Sequence, residues 1–166
     1  MRPYRLAILL LSLSLAACSN AAPSATAVKL AESPTVDGRL TEACWQPPAP
    51  MTGFSILDRG TPAVSQTQAW VATDDDAVYF AVKALDATPE KVKGTAAPRD
   101  ANIFSDDVIE IIIDAARDRF TFLHFAFNAA GAQYDEAGDA VGATADWSVP
   151  WTVKTAKGPD GWTAEA

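Results

Sequence analysis

The sequence predicts an antiparallel β-sandwich, on three observations. Of its 166 residues 49 % are apolar and 20 % charged, the balance of a single globular domain. Eleven prolines and nine glycines divide the chain into short pieces, with little helix-like periodicity. The apolar pieces are rich in β-branched and aromatic residues and alternate with period two.

The elements follow in order. Residues 1–17 read as an export signal, with Arg2 and Arg5 at the positive end and an apolar core over 6–17. Twelve residues are too few to span a bilayer of about 30 Å. Leu15-Ala16-Ala17-Cys18 resembles a bacterial lipoprotein box, so Cys18 is the expected lipidation site, and residues 18–30 form a tether rich in small and polar residues. By analogy with such lipoproteins, Ser19 favours the outer membrane, on its periplasmic or surface side. The globular part is residues 31–166.

Within it, Val36-Asp37-Gly38 is a turn and 41–45 a scrap of helix. Strands at 66–73 and 77–85, joined by Asp74-Asp75-Asp76, predict a hairpin. A long loop with two prolines covers 86–105. Residues 106–114 are the clearest strand, because Val108, Ile109, Ile111, Ile112 and Ile113 are β-branched. A strand at 120–128 turns through 129–131 into 132–135, a Gly- and Ala-rich loop covers 136–148, and 151–156 and 161–166 flank the turn Gly158-Pro159-Asp160. The last strand pattern carries no closing turn or polar tail, so a sandwich incomplete at its C-terminus is expected, with an unpaired edge.

Charge and cysteine content exclude several classes. Acidic residues number 21 against 13 basic, for a net charge of −8. Losing Arg2 and Arg5 with a leader leaves 11 basic. Nucleic acid as a partner needs clustered Lys and Arg, and a basic patch for anionic lipid is equally unsupported, so contact with a membrane is expected only through the lipid anchor. With Cys18 lipidated, Cys44 has no partner within the chain and reads as a small buried residue.

Alternation also assigns faces. Ile109, Ile111 and Ile113 share one side of their strand, and Glu110 points to the other. Leu123, Phe125 and Phe127 share the core side of the next strand, leaving His124, Ala126 and Asn128 opposite. If the two strands are neighbours, Glu110, His124 and Asn128 meet on one outward, half-polar face suited to a shallow ligand groove.

Pro34 to Trp45, Thr73-Asp74-Asp75 with Val78-Tyr79-Phe80, Asp106 to Asp114, Phe125-Ala126-Phe127-Asn128 and Gly161-Trp162-Thr163-Ala164-Glu165 occur in the order seen in family 9 carbohydrate-binding modules, which the chain resembles over 31–166. The resemblance implies a jelly-roll sandwich, non-catalytic binding of a poly- or oligosaccharide, bound calcium, and service to secreted or attached glycoside hydrolases. By position it implies Glu110, Asn128 and the ring of Phe104 as sugar contacts. The family's arginine falls on Ala126, and its second ring lies beyond Ala166. An aromatic ring takes the CH face of a sugar and polar groups take its hydroxyls. His124 is the candidate replacement donor, and Trp70 a further platform. Each has a plainer reading. Glu110 is then a solvated strand residue, Asn128 a cap for 129–131, Phe104 loop packing, His124 an incidental half-buried ring and Trp70 sheet packing. Arg99 and Asp100 read as an ion pair.

Calcium needs six to eight oxygens. Asp74, Asp75, Asp106 and Asp107 lie near turns and are the metal candidates, although none fits an EF-hand loop. Catalysis has little support: Asp106 and Glu110 share a face but lie about 13 Å apart along a strand, too far for the paired carboxyls of a glycosidase. Two other readings stay open. One is a structural envelope lipoprotein without sugar binding. The other is a haem-binding electron-transfer sandwich using Met51 and His124.

Overall fold

The computed structural model describes residues 25–46, 49–56, 59–144 and 146–166. Nine strands form two sheets: β1 Val28–Lys29, β2 Thr67–Thr73, β3 Val78–Leu85, β4 Val108–Ile113, β5 Phe122–Asn128, β6 Gln133–Gly138, β7 Ala143–Thr144, β8 Lys154–Gly158 and β9 Gly161–Glu165. The first sheet runs β1-β2-β3-β9-β8 and the second β4-β5-β6-β7. All pairings are antiparallel except β1 with β2. The chain is thus the expected β-sandwich. The expected leader, tether start and Cys18 lie outside the described residues.

The two layers meet through the side chains that alternation assigned inward. Phe127 and Trp162 pack edge to face at 6.2 Å, joined by Ala164, Val92, Val153 and Ala129, with Ile109 and Ile111 against them. Full burial of such side chains contributes about 1.5–3 kcal/mol each. Trp151 closes one side against Phe125 and Phe127. Beside it a hollow of about 340 Å³ opens between the sheets, walled by Phe80, Ile111, Ile113, Leu123 and Phe125, with Ala166 at its border.

The first sheet buries its other face as well. A 3₁₀ turn at Ala43–Trp45 lays Trp45 over Ala72 and Ala81. Glu165, 1 % exposed, holds this cover: its carboxylate accepts from the backbone N–H groups of Asp37 and Gly38, both at 2.9 Å, and from Trp45 Nε1 at 2.8 Å. Gly38 sits at φ +86°, and a Cβ there would come within 2.8 Å of the Thr155 backbone, so the turn needs glycine.

Several boundaries differ from expectation: the expected tether holds strand β1, and β4 and β5 begin two residues late, at Val108 and Phe122. β6 continues to Gly138, and β7 pairs with it where a loop was expected. Polar and small residues carry no period-two signal there, while Gly138 allows a close approach: an added Cβ would meet Phe122 at 2.7 Å and Ala143 at 2.8 Å. The strand expected at 151–156 begins only at Lys154, because Trp151 and Val153 turn into the core ahead of the ladder.

Candidate functional site

Registers β4–β5 and β5–β6 bring Ile112 opposite His124 and His124 opposite Glu136, with Glu110 and Tyr134 both opposite Ala126. All these side chains lie on the outward face of the second sheet, since residues directly opposite share a face. A segment of the long loop crosses one end of that face. Ile103 seats on Ala126 and Ala132, and Phe104 follows it with its ring 44 % exposed.

The result is a compact polar cluster under an exposed ring. His124 is buried. Its Nδ1 lies 3.0 Å from Glu136 Oε1 and its Nε2 3.0 Å from Glu110 Oε2. The Glu110 approach is short but off the N–H axis, which leaves Nε2 without an aligned hydrogen-bond acceptor. Tyr134 donates to Glu136 Oε2 at 2.8 Å. The hydrogen bond from His124 holds the Glu136 carboxyl below the usual carboxylate range. The bond to Glu136 pushes the Tyr134 hydroxyl up to about 12, aided by burial and the nearby charges of Glu136 and Asp100. Phe104 packs edge to face on Tyr134 at 5.2 Å and lies 6.2 Å from the His124 ring. The Glu110 side chain is 51 % exposed, and among the described residues no lysine or arginine pairs with Glu110 or Glu136.

Of the five expected sugar contacts, the structure gathers Phe104, Glu110 and His124. Asn128 shares their face but is corrected to a structural role. It is 0 % exposed, donating to Thr95 O and Asp106 Oδ2, both at 2.8 Å, and accepting from the Ala130 and Ala132 N–H groups, both at 3.0 Å. All four hydrogen-bonding positions of its amide are filled, so a ligand finds none. Trp70 is likewise corrected: it lies on the first sheet, opposite Ala81, packed in the cluster under Trp45. His124 is buried beside Glu110 and is not itself presented to solvent. Glu136 and Tyr134 were not foreseen, because they fall where sequence alternation gave a strand end and a loop.

The four aspartates proposed for calcium are met by protein donors. Asp74 accepts from Ser33 Oγ, Tyr79 OH and the Asp76 and Ala77 N–H groups, and these bonds, Ser33 first, depress its titration. Asp75 pairs with Lys29 at 2.6 Å. Asp106 takes the Thr95 N–H and Lys93, which with Asn128 bring it down to about 2, the Thr95 bond leading. Asp107 accepts from the Lys93 N–H at 2.6 Å. Among the described residues no three His, Cys, Asp or Glu side chains converge as a metal site. Arg99 reaches past its neighbour Asp100, 3.9 Å away, to a closer pairing with buried Asp135. The haem reading is not assembled either. Met51 bridges to Ala69 at the edge of the first sheet, His124 is on the second sheet, and both of its ring nitrogens face carboxylates. Compared with family models, curated proteins and solved structures, the chain matches none.

Proposed function

We propose that the chain is a non-catalytic carbohydrate-binding module, held at the bacterial envelope by lipid on Cys18 and serving enzymes that degrade glycans. The observation that carries this reading is the exposed Phe104 ring 6.2 Å from the His124 ring, whose Nε2 lies 3.0 Å from the half-exposed Glu110 carboxylate. A flat ring takes the CH face of a pyranose, and a carboxylate accepts from its hydroxyls. The sequence order shared with family 9 modules supports the same reading. The module gives up the family's arginine: Ala126, at that position, is fully buried under Ile103. Its specificity for cellulose or xylan ends is therefore not carried over.

The test is calorimetric titration of the purified chain with cellotetraose and xylotetraose, with calcium and with a chelator in separate arms. Phe104→Ala and Glu110→Gln are each expected to weaken binding about tenfold, some 1.4 kcal/mol, while leaving the melting temperature in place. Absence of binding to every sugar tested, neutral or charged, or binding indifferent to both substitutions, favours the structural envelope lipoprotein instead. Lipidation is read separately, by incorporation of labelled palmitate that Cys18→Ser abolishes.

A further inference from the structure

Resting on that reading, the charge around Phe104 narrows the ligand class: we infer that the face selects glycans bearing a protonated amine and rejects glycans bearing carboxylates. Two carboxylates, Glu110 and Glu136, flank one imidazole, and among the described residues no lysine or arginine pairs with either. Glu110 uses one oxygen, Oε2, toward His124. Its Oε1 meets no donor among the described residues, although the side chain is half exposed. A free carboxylate oxygen and an exposed aromatic ring, both packed on the same imidazole, are the pair of groups that binds an ammonium substituent, one by charge and one by its π-face.

The cluster is more than a patch of acid. His124 has 9 % of its side chain exposed, and its Nε2 has no aligned acceptor. That orphaned donor lies 3.0 Å from Glu110 Oε2, while the other oxygen of Glu110 stays open to a ligand. A uronic acid brought to the same place meets like charge from Glu110 and Glu136, with no lysine or arginine paired to either among the described residues. A neutral sugar stacks on Phe104 but leaves Glu110 with a hydroxyl donor only, a weaker partner than an ammonium group.

The experiment uses β-1,4-linked tetramers that differ at C2: cellotetraose with a hydroxyl and the glucosamine tetramer with an amine, together with tetragalacturonate as the anionic arm. Titration of the full chain at low salt and about pH 6, below the range where amines lose their proton, is expected to show the glucosamine tetramer about tenfold tighter than cellotetraose. Tetragalacturonate is expected not to bind. The amine preference disappears in Glu110→Gln and persists in Asp160→Asn, a distant exposed carboxylate that controls for the chain's overall negative charge. If cellotetraose binds as well as the amine tetramer, or the preference survives Glu110→Gln, this inference falls and the sugar-binding reading stands. If no tetramer binds, both fall.

Discussion

Glu165 and Glu110 are both strand glutamates beside an aromatic side chain, and the fold treats them in opposite ways. Glu165 on the first sheet is sealed beneath the segment carrying Asp37, Gly38 and Trp45, with three donors on its two oxygens. Glu110 on the second sheet touches one imidazole and keeps half its surface in water. The difference lies in what covers each sheet. An N-terminal segment closes the outer side of the first layer, whereas the long loop before β4 crosses only one end of the second, at Ile103 and Phe104. A carboxylate met by donors on both oxygens stabilises a fold; one with an unclaimed oxygen is available to a ligand.

The contrast is broken most sharply at Glu165. Glu165→Ala leaves three donors, two of them buried, without an acceptor and is expected to cost about 3 kcal/mol, read by urea unfolding. Glu110→Ala is expected to change stability by less than about 0.5 kcal/mol, since the residue is half solvated. Equal losses at the two positions would remove the distinction. Gly38→Ala attacks the same clasp through its backbone. A side chain at φ +86°, 2.8 Å from Thr155, is expected to lower stability by about 1–3 kcal/mol and to expose Trp45, seen as a red shift in tryptophan emission.

Acidity sharpens the comparison further. Burial raises the Glu165 carboxyl above its ordinary 4.5, so between that value and its raised one the folded chain holds a proton the unfolded chain has lost. Stability therefore falls as pH rises through this window, and Glu165→Gln is expected to remove that slope from a set of melts. Asp106 behaves oppositely. Lowered to about 2, it adds stability that is complete above 3.8 and is lost as pH falls toward about 2, the arm on which the loop holding Phe104 should loosen first. Asn128→Asp is expected to be costly as well, because the residue is 0 % exposed and loses both of its amide donors. It sets a second carboxylate against Asp106 and lowers the melting temperature, with sugar affinity reduced only as far as the loop moves.

Period-two alternation was enough to put Glu110 and His124 on one outward face, because β4 and β5 are neighbours with apolar side chains on the core side. It also put Asn128 there, correctly as to face but not as to role: whether a polar residue on a sheet face is open depends on which loop folds over it. Thr95 and Asp106 lie 33 and 22 residues away from Asn128. The clasp was out of reach for the same reason, with Trp45 and Glu165 separated by 120 residues. Arg99 beside Asp100 suggested a local pair, and the stronger partner, Asp135, stood 36 residues on. Glu136 and Tyr134 escaped notice because β6 is written in polar and small residues. Its identity as a strand rests on pairing with β5 and on Gly138, not on any apolar pattern of its own.

The clasp at Glu165 also bears on how fast the molecule assembles. The turn at Asp37 and Gly38 is made early in synthesis, yet its partner arrives 128 residues later. The hairpin of β2 and β3 closes locally, while the lid over the first sheet must wait for β9 to insert between β3 and β8. Closures at such separation put a domain among the slow, millisecond-to-second folders.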